Sequence, residues 1–249
     1  MDFDKALIDW LRKARHVTVL TGAGVSAESG LPTFRDALTG LWSDFKPEDL
    51  ATADAFRRNP KLVWDWYASR RERAGEAEPN AGHKALAEMG RSVPAFSLIT
   101  QNVDGLHQRA GSEKVVELHG SIHRVKCFDE GDVFDEWVTP ADGGVPRCPR
   151  CRRGYLRPDV VWFGERLSEE ALGEAVSAAG RCDVFLSIGT SGVVEPAASL
   201  MVLARKAGAL TCVINRDVDG FSGVDIVAQG ASGEILPALV HAVWGDRPE

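Results

Sequence analysis

A glycine-rich turn after a short apolar run is the first feature of the sequence that is suited to chemistry. Residues 17–20 are largely apolar, and residues 21–27 read Thr-Gly-Ala-Gly-Val-Ser-Ala, which fits the pattern G-x-G-x-x-G/A. In that pattern backbone amides approach a pyrophosphate, although a similar turn also forms for packing alone. The long helix and the acidic residue that complete a dinucleotide fingerprint do not follow, because Gly30-Leu31-Pro32 interrupts any helix.

Four further apolar runs also end in polar residues. Residues 96–100 precede Gln101, Asn102 and Asp104, whose side chains are able to bind a carboxamide or ribose hydroxyls, or to cap a helix. Residues 115–118 precede His119, a residue type suited to general base catalysis, although a lone histidine is more often structural. The last two runs, 184–188 and 210–214, precede the segments Gly189-Thr190-Ser191-Gly192 and Asn215-Arg216-Asp217.

The elements that must position these clusters are the strands of a parallel sheet. These five apolar runs, and a sixth predicted strand over residues 225–228, alternate with segments of helical period, which predicts an α/β fold, a Rossmann-like parallel sheet with helices on both faces. We expect the first helix to start behind Asp2, a later helix to lie between Pro196 and Gly208, and the last to carry an apolar stripe over residues 235–243. Parallel strands end at one edge of a sheet, so the five clusters converge on one crevice. A nucleotide-type ligand best explains that convergence.

Two segments that break the alternation are predicted to be insertions that form a small second lobe. One spans residues 37–75, is rich in Trp and charged residues, and indicates short helices. The other spans residues 123–158, has weak periodicity and contains Cys127, Cys148 and Cys151. We therefore expect a discontinuous Rossmann-like domain of residues 1–36, 76–122 and 159–249, and a small domain of residues 37–75 and 123–158.

Composition and charge argue against several classes of partner. The formal net charge is −7 and no dense tract of Lys and Arg occurs, which argues against nucleic acid and anionic membrane surfaces. No apolar run approaches the length of a membrane span, and the N-terminus lacks the basic-then-apolar order of a signal peptide. We expect a cytoplasmic protein that binds small molecules and protein segments. The five cysteines, an odd number, argue against a disulfide framework, and Cys182 and Cys212 lie in apolar runs typical of packing residues.

Five parts of the sequence, taken in order, resemble the successive motifs of the sirtuins, a family that removes acyl groups from lysine at the expense of NAD. They are residues 22–26 with 30–35, then 100–107, 117–120, 158–165 and 189–191, so the resemblance covers nearly the whole chain. It implies that NAD is consumed as a co-substrate. The residues that it implies for NAD are Gly22, Ala23, Gly24, Ser26, Phe34, Arg35, Gln101, Asn102, Asp104, Gly189, Thr190, Ser191, Asn215 and Ala231.

The resemblance also implies a mechanism. Asn102 and Asp104 would bind the nicotinamide carboxamide, and Gln101 would bind the adjoining ribose. The acyl oxygen then attacks the anomeric carbon, and His119 acts as the general base that lets the 2′ oxygen take over the acyl group. The implied products are nicotinamide, free lysine and 2′-O-acyl-ADP-ribose. A mono-ADP-ribosyltransferase and an NAD-binding regulator remain alternatives, although the presence of His119 together with Asn102 and Asp104 speaks against a pure binding module.

The acyl group and the acylated protein segment would be held by residues from both lobes. Tyr67 and Arg70 are three residues apart and share a helix face, an arrangement that is also common on ordinary helices. They are similar to the pair that marks the sirtuins preferring negatively charged acyl groups, and Ala37 is similar to the small residue that widens their pocket. We therefore expect removal of succinyl and malonyl groups, with deacetylation retained. The residues implied to pair with an extended peptide are Val161, Trp162, Phe163 and Gly164.

An incomplete cysteine set points to a metal site. Sirtuins commonly carry two C-x-x-C pairs that bind one structural zinc ion. This sequence has the pair Cys148-Pro149-Arg150-Cys151 but upstream only Cys127, with Glu130 where the fourth cysteine would fall. A closed tetrahedral site needs four ligands, which Asp129, Glu130 or Asp132 would complete; alternatively, the cysteines are remnants of a site that no longer binds metal. We expect the small domain to have a helical part and a zinc-ribbon-like part.

Overall fold

The chain forms nine strands and ten helices within residues 3–32 and 45–245, the part that a computed structural model describes. The strands are β1 (His16–Thr21), β2 (Ala95–Thr100), β3 (Val115–Glu117), β4 (Gly120–Cys127), β5 (Val133–Phe134), β6 (Leu156–Val160), β7 (Val184–Ile188), β8 (Leu210–Asn215) and β9 (Ile226–Gln229). The helices are α1 (Lys5–Lys13), α2 (Ala23–Ala27), α3 (Pro47–Leu50), α4 (Ala53–Arg58), α5 (Pro60–Glu76), α6 (Ala81–Ser92), α7 (Leu106–Arg109), α8 (Glu169–Ala179), α9 (Ala197–Lys206) and α10 (Ser232–Trp244).

Six of the strands form one parallel sheet in the order β3-β2-β1-β7-β8-β9. Chain order runs outward from β1 in one direction through β2 and β3, and in the other through β7, β8 and β9. The order therefore reverses between β1 and β7. Ligands of open α/β sheets bind at such a reversal, outside the carboxyl ends of the strands. The predicted clusters lie at this edge.

Helices cover both faces of the sheet, as predicted. Val17 and Val19 of β1 face a core that α1, α6 and α10 complete. Leu20 of β1 and Phe185 of β7 face a second core against α8 and α9. Because neighbouring strand residues point to opposite faces, a strand buried on both sides consists almost entirely of apolar residues. This explains why the sequence shows short continuous apolar runs.

Helix ends follow local capping chemistry. The cap of α1 is Asp4, whose carboxylate accepts a hydrogen bond from the amide of Ala6 at 2.7 Å, so the expectation of an Asp2 cap was wrong. Pro196 is the N-cap of α9, and Gly208 has a φ of +94° just beyond its end, which confirms the expected position of that helix. Helix α2 has only five residues, so the helix is interrupted as expected.

The remaining elements belong to the predicted insertions. Helices α3 and α4 are short as expected, but α5 has 17 residues, with Asn59 as its cap and Pro60 in its first turn. Strands β4, β5 and β6 form an antiparallel sheet in the order β5-β4-β6. Trp66 of α5 packs with Ile122 and Val160, so the helical segment and this small sheet share an apolar core.

The predicted domain borders differ from the ends of these elements. The border between residues 122 and 123 falls inside β4, and that between 158 and 159 falls inside β6, because the antiparallel sheet already begins at Gly120. We propose that the small domain comprises α3–α5 and β4–β6. None of the helices in the described part of the chain is both long enough and apolar enough to cross a membrane.

Candidate active site

The glycine turn after β1 lies directly against the end of β7. The amide of Gly24 donates to the carbonyl of Gly189 at 2.9 Å. A Cβ atom added to Gly22 would lie 2.7 Å from the same carbonyl oxygen, and one added to Gly189 would lie 2.6 Å from the amide nitrogen of Val25. Gly189 also has a φ of +60°, a conformation that side chains disfavour. The turn therefore requires glycine for close backbone contact, and Ala23 lies within it, partly exposed.

Three polar side chains form a connected group behind this turn. Both amide protons of Asn102 are donated at 3.0 Å, one to the carbonyl of Gly22 and one to the hydroxyl of Ser26. The Ser26 hydroxyl in turn donates to a carboxylate oxygen of Asp104 at 2.7 Å, and the other oxygen accepts from the amide of Leu106 at 2.9 Å. Ser26 is 3% exposed and Asp104 is 8% exposed. Ser26 thus fixes Asn102 and Asp104 relative to the glycine turn.

His119 follows β3 and is held through one ring nitrogen. Its Nδ1 lies 3.0 Å from the backbone carbonyl of Gln101. A carbonyl only accepts hydrogen bonds, so Nδ1 carries the proton and the lone pair of the neutral ring lies on Nε2. Burial lowers the pKa of His119, and the hydrogen bond to Gln101 offsets only part of that effect. The structure thus favours a neutral imidazole with a basic Nε2.

Strands β7 and β8 bring the next group of predicted residues together. The Thr190 hydroxyl lies 2.9 Å from that of Ser187, and its carbonyl accepts from the Asn215 side chain at 2.8 Å. Gln101 and Thr190 line one cleft together with Phe221. Ser191 is exposed beside it, and Ala231 is the buried N-cap of α10. The ends of β2, β7 and β8 therefore contribute to one edge of the sheet.

Tyr67 and Arg70 lie on the face of α5 that points inward. Tyr67 is 4% exposed, and its hydroxyl accepts a hydrogen bond from the indole of Trp162 at 3.0 Å. Burial raises the pKa of Tyr67 to about 12. Burial also lowers the pKa of Arg70. Electrostatic interactions with Tyr67 and Asp104 raise this pKa but do not outweigh burial. Tyr67 is thus buried and Arg70 is partly buried, and the charge of Asp104 acts on Arg70.

The 161–164 segment is already hydrogen-bonded on one side. The amide of Val161 donates to the carbonyl of His119 at 2.9 Å, that of Phe163 donates to Ala51 at 3.0 Å, and that of Trp162 donates to the Glu165 carboxylate at 2.9 Å. Three of the four amides of this segment are therefore used within the protein. Within the described part of the chain, the Gly164 amide and the carbonyls of Val161 and Gly164 make no backbone hydrogen bond outside the helices and strands, so these groups are considered for a peptide.

A buried ion pair supports this segment, and the sequence did not reveal it. Arg157 is 3% exposed and pairs with Glu165. Its guanidinium also stacks on the ring of Trp162 at 3.2 Å from the centroid and donates to the Val160 carbonyl. Burial would raise the pKa of Glu165, but hydrogen bonds from Arg157 and from the Trp162 amide outweigh burial and lower it. In the sequence, this ion pair was indicated only by a basic residue, Arg157, and an acidic residue, Glu165, at the two ends of a largely apolar motif.

Two buried histidines behind the site were also missed. His107 lies 2.9 Å from the Thr21 hydroxyl, and its ring is 4.8 Å from that of His83. Burial lowers the pKa of His107 to about 3, so this ring is neutral in the folded protein.

Three of the predicted site residues, Phe34, Arg35 and Ala37, lie outside the described residues.

The three cysteines of the second insertion come together. The sulfur atoms of Cys127, Cys148 and Cys151 lie within 4.8 Å of one another. Those of Cys127 and Cys151 are 3.6 Å apart, close to the spacing of about 3.8 Å that tetrahedral zinc–thiolate bonds of about 2.3 Å impose. Backbone amides of Cys151 and Gly154 point at sulfurs of the cluster, at 3.5 and 3.4 Å. These residues therefore fit a structural zinc ion.

Comparison with known proteins agrees with this geometry. A model of the Sir2 family matches residues 22–196. The "NAD-dependent protein deacylase 2" of Pyrobaculum aerophilum is 51% identical over 236 residues, which cover 94% of this chain and 94% of that protein. The crystal structure of a Sir2 homolog–NAD complex is 42% identical, covers 97% of this chain and 94% of that chain, and has a TM-score of 0.91. A complex of Sir2 with a p53 peptide and NAD+ is 30% identical, covers 95% and 97%, and has a TM-score of 0.83.

The match to the family model starts at the glycine turn of β1, runs through both insertions and ends just before α9. Half of the residues are shared with the Pyrobaculum relative over nearly the full length of both chains. The chain belongs to the Sir2 family, the sirtuins.

Proposed function

We propose that this sirtuin is an NAD-dependent protein-lysine deacylase that removes succinyl, malonyl and acetyl groups. The products are nicotinamide, free lysine and 2′-O-acyl-ADP-ribose. The observation that carries the proposal is the neutral His119, whose Nδ1 is bonded to Gln101 beside the group formed by Asn102, Ser26 and Asp104. The deacylase name of the relative that is 51% identical supports the same activity.

The sheet edge fits NAD. The backbone of Gly22 and Gly24 lies against Gly189 at the point where the strand order reverses. Because these residues have no side chains, a pyrophosphate would be able to approach their backbone closely. The NAD complex of a homolog that is 42% identical supports this placement. Asn102 and Asp104 would hold the nicotinamide carboxamide, since a carboxylate has lone pairs beyond the two bonds that Asp104 already makes. Thr190, Ser191, Asn215 and Ala231 would line the adenosine side.

His119 supplies the base. Its Nε2 accepts a proton from the ribose hydroxyl that then takes over the acyl group, and the Gln101 carbonyl stabilises the imidazolium that results. A base with a lowered pKa is neutral, and hence ready to accept a proton, at neutral pH. Buried Ser26 keeps Asn102 and Asp104 in place while this happens.

The acylated protein segment would bind along residues 161–164. The Gly164 amide and the carbonyls of Val161 and Gly164 would pair with the peptide backbone, and the amides bonded to His119 and Ala51 keep the segment between the two lobes. A Sir2 complex that holds both a p53 peptide and NAD+ supports a protein substrate. Zinc held by Cys127, Cys148 and Cys151 would stabilise the small sheet and takes no part in the chemistry.

Tyr67 and Arg70 would recognise the carboxylate of a succinyl or malonyl group. A guanidinium binds a carboxylate through two parallel hydrogen bonds, and burial strengthens such a pair. Tyr67 is oriented by Trp162, which lies next to the peptide-binding backbone. A charged acyl group that follows the peptide between the lobes would thus meet both side chains.

Steady-state kinetics on succinyl and acetyl forms of one peptide test this preference. Arg70→Met should lower kcat/KM for the succinyl peptide about 10- to 100-fold, because a hydrogen bond to a charged group contributes about 1.5–3 kcal/mol. The acetyl peptide should change less than about threefold, within the spread of such measurements. Arg73→Met, at an exposed position one turn further along α5, is the matched control and should affect neither peptide. Equal losses on both peptides for Arg70→Met would rule out the carboxylate clamp.

A further inference from the structure

The cysteine cluster has three sulfur ligands, whereas a closed zinc site has four. Glu130 occupies the position three residues after Cys127, where the spacing of a C-x-x-C pair would put the fourth ligand. Asp129 and Asp132 flank it. The surroundings of the three carboxylates indicate which of them would be the fourth ligand.

Asp132 is engaged elsewhere, because its carboxylate pairs with the guanidinium of Arg150. The backbone amides of Glu130 and Asp129 are both hydrogen-bonded to the Cys127 sulfur, and both residues are exposed, so these features do not separate the two. The positions of the carboxylates do: among the described residues the Glu130 carboxylate makes no contact with the cluster, and that of Asp132 is held by Arg150.

The Asp129 carboxylate lies beside the cluster. One of its carboxylate oxygens lies 2.6 Å from the point where a Cβ on Gly154 would stand, and the Cys127 sulfur lies 3.1 Å from the same point. Gly154 is itself buried, and its amide donates to the Cys151 sulfur. The glycine therefore leaves a space that is shared by an oxygen of Asp129 and the sulfur of Cys127.

We propose that zinc is bound by Cys127, Cys148, Cys151 and the carboxylate of Asp129. Carboxylate oxygens bind zinc at about 2.0–2.2 Å and complete a tetrahedron with three thiolates. Among the described residues no carboxylate oxygen lies within 4.8 Å of all three sulfurs, so the Asp129 side chain rotates toward them on binding. The three thiols each release a proton to solvent as the metal binds. The site rests on the cysteine cluster and not on the acyl-group or NAD chemistry.

Metal binding to the full-length protein tests the assignment. Wild type, Asp129→Asn, Glu130→Gln and Asp132→Asn are loaded with zinc, and the stoichiometry and the affinity against a chromophoric chelator are measured. We expect one zinc ion per chain in the wild type and a loss of affinity of at least about tenfold for Asp129→Asn, since removing even an outer-sphere partner typically costs 10–100-fold. Glu130→Gln and Asp132→Asn are matched controls and should bind like the wild type.

Cobalt spectra provide a readout that does not depend on affinity or activity. The wild type should show tetrahedral cobalt bands, and Asp129→Cys should keep them while gaining the charge-transfer absorption of a fourth thiolate. That variant also guards against loss of folding, because it restores a four-ligand site. A loss confined to Glu130→Gln or to Asp132→Asn, equal binding by all three amide variants, or a wild type that binds no zinc would each overturn the proposal.

Discussion

His119 is the residue whose chemistry depends most directly on its surroundings. Its Nδ1 is fixed by the Gln101 carbonyl, and burial lowers its pKa from the ordinary 6.5. The neutral form is the active one for a general base. Protonation at low pH therefore removes activity, and it does so only below the lowered pKa.

We predict that kcat/KM is constant around neutral pH and falls about tenfold per pH unit once the pH is below an inflection lower than 6.5. A pH–rate profile measures this inflection. His119→Asn should reduce kcat/KM about 10²–10⁴-fold and remove the acidic limb. The control is His241→Asn, in the last turn of α10. This variant should retain the wild-type kcat/KM and the acidic limb of the profile. An inflection at or above pH 6.5 in the wild type would contradict the assignment.

The site residues that lie close together in sequence were predictable, and the bonds between distant ones were not. Gly22, Asn102 and His119 follow apolar runs, so their place at strand ends could be read from the sequence. Ser26 was expected among the residues that bind NAD, and its bond to Asp104 joins residues 78 apart in sequence. The bond from Trp162 to Tyr67 spans 95 residues. Such pairings depend on tertiary packing, which local patterns do not specify.

At the scale of elements, the turn after β1 and the end of β7 act as one unit. Gly22 has an extended backbone, with φ −131° and ψ −173°, that any residue is able to adopt. Only the close contact with Gly189 and Thr190 therefore excludes a side chain at this position. A substitution at Gly22 thus tests the packing of the turn and not its backbone strain.

We predict that Gly22→Ala lowers the free energy of unfolding by about 1–3 kcal/mol, as overpacking does, and raises KM for NAD. Its Cβ would lie 2.7 Å from the Gly189 oxygen and 3.0 Å from the Cα of Thr190. Urea denaturation and steady-state kinetics measure the two effects. Gly173→Ala in α8 is the control, since apart from its own helix no described atom lies within 4 Å of where its Cβ would be, and it should stabilise the protein by up to about 1 kcal/mol. A Gly22→Ala protein with wild-type stability and KM would refute the contact.

The elements themselves were predicted unevenly. All six strands of the parallel sheet were expected, because apolar runs buried on both faces stand out in the sequence. The length of α5 was missed, since its buried Val63, Trp64, Trp66 and Tyr67 fall within five positions and the charged residues 70–73 follow, which leaves no regular helical period. The start of β4 and the end of β6 were missed because both lie in motifs assigned to the larger domain.

At the scale of the whole molecule, the proposed function depends on contacts between residues of the two lobes. The sequence indicates which strands exist, but the reversal of strand order between β1 and β7 emerges only from the assembled sheet. Helix α5 joins the helical insertion to β4 and β6 through a core that contains Trp66 and Trp162. Trp162 therefore connects the proposed acyl-binding residue Tyr67 with the segment proposed to bind the peptide. Acyl preference and peptide binding should thus respond together to changes in this core.

The most direct test of the central claim is mass spectrometry of the products formed from NAD and a succinyl-lysine peptide. We predict one succinyl-ADP-ribose and one nicotinamide for each peptide deacylated, with no change in the mass of the protein. A gain in protein mass by ADP-ribose would instead show transfer to a protein nucleophile. Free succinate with NAD left intact, or no reaction at all, would also contradict deacylation at the expense of NAD.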